Sequence, residues 1–230
     1  MNFDMLMGYA PRLLDGLWIT LGITGLSVVI GVILAVPVAL MRLSSYKVFQ
    51  WPSYLFVFYF RGTPLLVQLF LIYYGSGQFR VELTELGLWS YFREAYFCAV
   101  FTLTLNTCAY TAEILRGAIQ SVPKGEVEAG MACGMSGPLL YQRIILPSAL
   151  RSAWPAYGNE VIFLMQASSL VSIITLLDLT GVARRIISET FAVYEVYLLI
   201  AAIYLVITYC LVFIFKRIEK YLQRHTQALN

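Results

Sequence analysis

Charge is the scarcest ingredient of this chain. Only 16 of its 230 residues are Lys or Arg and 13 are Asp or Glu, 13% together, about half the share of a soluble domain. A water-facing shell cannot be built from so few, and a mean hydropathy of +0.74 points to a membrane protein. Histidine is rarer still. The only one, His225, lies in the C-terminal tail, which excludes an H-E-x-x-H zinc site and a histidine-based triad within the membrane. No lysine follows a glycine, so there is no G-x-x-x-x-G-K-[ST] phosphate loop and ATP is not bound that way. The cysteines Cys98, Cys108, Cys133 and Cys210 contain no CxxC pair, and three of them fall in apolar runs, so no disulfide framework is expected. The first apolar run, about 26 residues, exceeds the usual signal-peptide core, and no A-x-A site follows it; it is expected to remain as a membrane span. No catalytic residue, metal site or nucleic-acid partner is expected, and no internal repeat is visible.

What is present is a set of long apolar runs punctuated by charge. Residues 16–41, 95–112 and 196–215 are uncharged; residues 48–79 carry only Arg61, and 152–177 only Glu160. Each run meets the roughly 17–25 residues needed to cross a hydrocarbon core, and lipid leaves only helices able to satisfy their own backbone. Five transmembrane helices are predicted, near 17–41, 52–75, 95–117, 153–177 and 196–215, in one domain spanning 1–230 with a core of about 16–215. Alternate loops carry ten Lys or Arg against five. The positive-inside rule then places the N-terminus outside and the C-terminus in the cytoplasm. Trp51, Trp89 and Trp154 fall near the proposed boundaries, as an interfacial aromatic belt would. Gly31, Ala35 and Ala39, four apart, make a small-residue stripe for close helix packing.

Polar groups inside the spans are few and costly, so each needs a reason. Arg61 lies nine residues beyond Pro52, roughly 14 Å into the membrane at 1.5 Å per residue. Its neighbours Gly62, Thr63 and Pro64 weaken the helix there. Arg61 is either a structural partner of Glu160 or an anchor for a carboxylate-bearing ligand, whose two oxygens match the guanidinium fork. Beyond Glu160 stand Gln166, Ser168 and Ser169, and Ser168, Ser172 and Thr175 make a helical stripe. Thr102, Asn106, Tyr110 and Glu113 form a second stripe. Such stripes either glue helices together or line a path.

The remaining polar stretch, about 121–147, lies between the third and fourth spans and faces the cytoplasm by the charge rule. Pro123 can open a helix with Glu126 and Glu128 in its first turn, where the helix dipole favours anions. Gly134 and the Gly137–Pro138 pair permit a sharp turn. A second short helix over Leu139–Ile145 would complete a two-helix knob, with Val127, Met131 and Met135 free to fill a groove on a partner.

The pattern Glu128-Ala129-Gly130-x3-Gly134-x9-Ile144-x-Leu146-Pro147 resembles the EAA-x3-G-x9-I-x-L-P coupling loop of membrane subunits of bacterial ATP-binding-cassette (ABC) importers. It departs only in Gly130, where the family usually has its second alanine. Arg61-Gly-Thr-Pro-Leu-Leu-Val-Gln68, Leu103-Thr-Leu-Asn106…Tyr110-Thr-Ala-Glu-Ile114 and Ala156-Tyr-Gly-Asn-Glu160 look like the polar amino-acid branch, closest to the M-type subunit of histidine, arginine/ornithine and opine permeases. The likeness covers nearly the whole chain. It implies an all-α type I importer transmembrane domain in the bacterial inner membrane, a homologous Q-type second permease subunit, two copies of a cytoplasmic ATPase and a periplasmic binding protein. ATP and Mg would be used by the ATPase, with no cofactor on this chain. The intramembrane polar residues give the expected substrate path: Arg61, Thr63, Asn106, Glu160, Gln166, Ser168 and Ser169. Many relatives carry an acidic residue near position 167, where this chain has Gln166 and Ala167, which leaves Glu160 as the candidate for a basic side chain. An ion-coupled secondary transporter and a non-transporting scaffold are the alternatives. The absence of repeated halves argues against the first, and the buried charges against the second.

Overall fold

The computed structural model describes residues 8–223, and every regular element among them is helical. Arg224 and His225 lie outside the described residues. The α-helices are α1 (Ala10–Leu43), α2 (Lys47–Gly62), α3 (Leu65–Tyr73), α4 (Arg80–Glu85), α5 (Trp89–Phe92), α6 (Ala95–Gln120), α7 (Lys124–Ala132), α8 (Gly137–Leu140), α9 (Leu146–Ala167), α10 (Leu179–Thr190) and α11 (Val193–Leu222). Three of them, α1, α6 and α11, are long and apolar enough to cross a membrane; two bent helix pairs raise the number to five if each pair is one span.

The α1–α6 pair forms the spine. The buried positions of α1 include Gly16, Thr20, Ile23, Ser27, Gly31, Ala35 and Ala39, spaced three or four apart, so they share one face. From Ile23 onward that face lies against α6, while Gly16 and Thr20 meet Asp178 and Leu179 at the start of α10. Ser27 donates to the Val100 carbonyl at 3.2 Å. A Cβ added to Gly31 would sit 2.3 Å from Thr107 Cγ2, so only glycine permits this approach. The small-residue stripe read from the sequence therefore does pack a helix, and that helix is α6.

Two predicted spans are not continuous. The 52–75 segment breaks between α2 and α3, and the paired helices are bent by 106°. Pro64 lacks an amide hydrogen, and Thr63 before it is extended, at φ −117° and ψ 148°, as the residue preceding a proline prefers. The 153–177 segment leaves the α-helix at Ala167 and continues as a 3-10 helix over Ser168–Ile174. There Ser168, Ser169 and Ser172 each donate to the carbonyl three residues back. In this tighter winding Ser168, Ser172 and Thr175 do not form an α-helical stripe, and Thr175 closes the segment at φ 70°.

The loop expected after the fourth span contains a helix, α10. Its apolar face, Leu179, Val182, Ala183 and Ile186, joins Leu13 of α1 and Val196 and Ile200 of α11 in one core cluster. Arg184 and Arg185 fall on its exposed side.

Candidate functional site: a broken helix, two cavities and a polar knob

The α2–α3 break frees backbone carbonyls that must find donors. Thr63 Oγ1 donates to the Tyr59 carbonyl at 2.8 Å. Gln68, almost fully buried, sends its amide nitrogen to the carbonyls of Phe60 and Thr63, at 2.8 and 3.0 Å, and to Thr63 Oγ1 at 2.8 Å. Asn106 of α6 donates to Gln68 Oε1 at 3.0 Å and to the Phe60 carbonyl at 3.3 Å. Thr63 and Asn106, predicted as path residues, thus also hold the break together. Gln68 is the centre of this network.

Two cavities flank it. One, about 310 Å³, is lined by Thr63, Pro64, Leu65, Asn106, Tyr110, Glu160, Phe163, Leu164 and Ala167. The other, about 370 Å³, is lined by Arg42, Tyr54, Val57, Phe58, Arg61, Gly62, Tyr110 and Glu113. The structure thus brings Thr63, Asn106 and Glu160 together and sets Arg61 in the adjoining space. Arg61 and Glu160 do not form the ion pair weighed above. Among the described residues Arg61 has no ion pair; its guanidinium lies over the Tyr110 ring, 5.2 Å from the centroid. Glu113 does not serve Arg61 because it is occupied, bonding Arg116 and accepting from Arg42 at 3.3 Å. Gln166, Ser168 and Ser169 line neither cavity. Ser168 is fully buried with its hydroxyl on the Met165 carbonyl, whereas Gln166 is exposed and Ser169 is half-buried.

The polar stretch over 121–147 is built by its glycines. Helix α7 ends in a Schellman motif: Met135 N–H reaches the Gly130 carbonyl at 3.1 Å and Gly134 N–H the Met131 carbonyl at 2.9 Å. Gly134 occupies the left-handed position at φ 80°, where a side chain would be strained. Gly130 is buried, and a Cβ there would lie 2.6 Å from Leu140 Cδ1 and 3.3 Å from Ile144 Cγ1. Glycine in place of the family's alanine makes this a close contact, in which an added methyl group would have to displace the flexible end of Leu140. Glu126, Glu128, Ala129 and Met131 are exposed on the outer side of α7.

The second half of the knob differs from expectation. It is not a separate helix: α8 passes through a π-helical turn, Tyr141–Ile145, straight into α9. Leu146 N–H bonds the Tyr141 carbonyl, five residues back. Pro147 explains the wide turn, since a proline in regular α-helix would clash with the carbonyl four residues before it. Ile144, Leu146 and Pro147 are thus the root of the helix that carries Glu160.

The comparisons with known proteins agree with this geometry. Residues 27–225 match the family described as "Binding-protein-dependent transport system inner membrane component". This chain belongs to that family. It is similar to the nopaline transport system permease protein NocM of Agrobacterium fabrum, with 48% identity over 99% of this chain and 95% of the relative. It is also similar to the histidine/lysine/arginine/ornithine transport system permease protein HisM of Escherichia coli K12, at 47% identity over 92% and 89%. A crystal structure of an amino acid ABC transporter with histidines aligns at a TM-score of 0.85 and 37% identity, covering 96% of this chain and 99% of that one. A chain of the MetNI methionine ABC transporter shares the fold at a TM-score of 0.72 and 20% identity, over 96% and 99%. The chain is therefore an inner-membrane permease subunit of an ABC transporter, with the type I importer fold. Permeases of this family work with an ATPase and a binding protein, and the permease is not itself the ATPase.

In this permease the sequence reading missed Asp178 and Gln68 as structural centres. Asp178 caps α10: its carboxylate accepts from Gly181 N–H at 2.9 Å and Thr180 N–H at 3.2 Å, and it is fully buried. Thr20 of α1 accepts from Leu179 N–H at 3.0 Å, and a Cβ on Gly181 would lie 2.3 Å from the Leu176 carbonyl oxygen. An Asp ahead of an amphipathic run was the available signal. Gln68 sat four residues after Pro64, the distance at which a side chain can reach back to carbonyls freed by a helix break.

Proposed function

We propose that this permease crosses the membrane five times, with its N-terminus periplasmic, and carries basic amino acids or opines inward. It pairs with a homologous Q-type permease, two copies of a cytoplasmic ATPase and a periplasmic binding protein. ATP and Mg act on the ATPase. The loaded binding protein docks outside, the ATPases close, the knobs move, and the cavity turns outward to take substrate; hydrolysis resets it. Transport requires two conformations that differ in affinity for the ATP-bound partners.

The observation that supports the substrate class is the placement of Glu160 and Arg61 in adjoining cavities. An acidic group for a cationic side chain and an unpaired guanidinium for a carboxylate complement a basic amino acid at its two ends. HisM, a histidine/lysine/arginine/ornithine permease, and NocM, a nopaline permease, serve ligands of this chemical class. Glu126, Glu128, Ala129, Gly130, Gly134, Ile144, Leu146 and Pro147 form the coupling segment in this reading. The α8–π–α9 rod supports that role, because a push on α7 at Leu140 and Ile144 acts on the helix bearing Glu160.

The test is reconstitution of the assembled transporter in proteoliposomes, with uptake of labelled arginine, histidine and nopaline. ATP-dependent uptake is expected, reduced at least tenfold by Glu160→Gln and abolished by Glu128→Lys, while both variants still insert. Vectorial uptake that persists without the ATPase would refute the importer mechanism. Unchanged arginine uptake in Glu160→Gln would refute the assigned path.

A further inference from the structure

Tyr110 is the one residue that lines both cavities. It stands on α6 between Asn106, which faces the Glu160 cavity, and Glu113, which faces the Arg61 cavity; the steps of four and three residues stack the two spaces along one helix face. Its backbone has little freedom, since Ala109, Thr111 and Ala112 around it are fully buried. The partner across the ring is less constrained. Arg61 is exposed, sits in the last turn of α2, and adjoins Gly62, around which a Cβ would meet nothing within 4 Å. Glu113, which lines the same cavity, is already shared by Arg42 and Arg116, and the close contact that Arg61 makes is with the Tyr110 ring.

We infer that Tyr110, latched by Arg61, is the partition between the two cavities, and that a ligand carboxylate opens it by drawing Arg61 off the ring. A cation over an aromatic face is a weak contact. A bidentate guanidinium–carboxylate pair is stronger and directional, so a carboxylate outcompetes the ring. The device makes passage depend on the carboxylate of the substrate and leaves the basic side chain to Glu160. This inference rests on the proposed substrate path, with the Arg61 cavity on the ATPase side.

The test uses the assembled transporter in proteoliposomes, with exposed Cys133 and Cys210 replaced by Ser and a reporter cysteine, Ala167→Cys, lining the Glu160 cavity. A membrane-impermeant methanethiosulfonate is applied from the ATPase face. Labelling is expected to be slow with Tyr110 and to stay within about twofold in Tyr110→Phe, which keeps the ring. It should rise about tenfold in Tyr110→Leu, which keeps bulk without a π face, and equally in Arg61→Gln, a factor in keeping with the loss of one cation–π contact. Millimolar arginine should accelerate labelling of the parent, and agmatine, the same side chain without the carboxylate, should not. Equal rates in Tyr110→Leu and the parent would overturn the partition, and agmatine matching arginine would overturn the carboxylate trigger. Absence of ATP-driven arginine uptake with the variant pattern intact would instead fault the substrate class alone.

Discussion

Replacing Gln68 with Met isolates what holds the α2–α3 break. Met has similar length and volume, so packing is largely retained, while four polar contacts disappear: those to the Phe60 carbonyl, the Thr63 carbonyl and the Thr63 hydroxyl, and the one accepted from Asn106. Hydrogen bonds between helices in a membrane average about 0.6 kcal/mol, so four imply a loss of roughly 2.5 kcal/mol. The Phe60 carbonyl keeps Asn106, at the longer 3.3 Å. The Thr63 carbonyl keeps no donor from Gln68, and a part-buried carbonyl left unsatisfied raises the cost toward about 4 kcal/mol. Asn106→Leu removes only the two bonds that Asn106 donates and should cost about half as much as Gln68→Met. The assay is equilibrium unfolding of the purified transporter in mixed micelles with increasing dodecyl sulfate, followed by circular dichroism. A loss below about 0.5 kcal/mol for Gln68→Met, within the scatter of a neutral substitution, would refute the argument and show that packing alone maintains the bend.

Further expectations concern other parts of the molecule. At Gly130, alanine should be tolerated because Leu140 Cδ1 is the movable end of a flexible side chain; leucine should lift α7 off the α8–α9 rod, leaving ATP hydrolysis while uptake falls at least tenfold in the proteoliposome assay. Asp178→Ala removes the α10 cap and should cost about 1–2 kcal/mol, read as a lower unfolding midpoint, whereas Asp178→Asn keeps an acceptor and should recover most of it. Exchanging the charges in Arg61→Glu with Glu160→Arg should not rescue uptake, since the two side chains form no pair among the described contacts; recovery of wild-type uptake in the double variant would restore the structural-pair explanation.

Much of this was readable before any coordinates. The apolar runs bounded by charge located the three long helices, because the length needed to cross lipid is a property of each segment alone. The Gly31, Ala35 and Ala39 stripe announced a close helix approach, and Gly134 announced the turn that it makes in the left-handed conformation. Harder to read were features set by neighbours. The 3-10 winding after Ala167 depends on three serine hydroxyls returning to carbonyls three residues back, and from spacing alone Ser168, Ser172 and Thr175 look like an α-helical face. The α10 helix hid among loop charges because its apolar face finds a partner only when α1 and α11 close around it.

The sequence by itself therefore determined the class of molecule: helical, membrane-embedded, lacking the phosphate loop and interrupted by one polar segment between two apolar runs. These follow from composition, run length and local spacing, which act within a few turns of chain. Only the tertiary structure decided where the intramembrane charges point. Arg61 and Glu160 are 99 residues apart, and both an ion pair and a divided site were compatible with that separation. The outcome turned on what else occupied the space: Arg42 and Arg116 on Glu113, and the Tyr110 ring beneath Arg61. Which partner a charge finds depends on what the other helices have already placed around it, and that is settled only once all of them are in place.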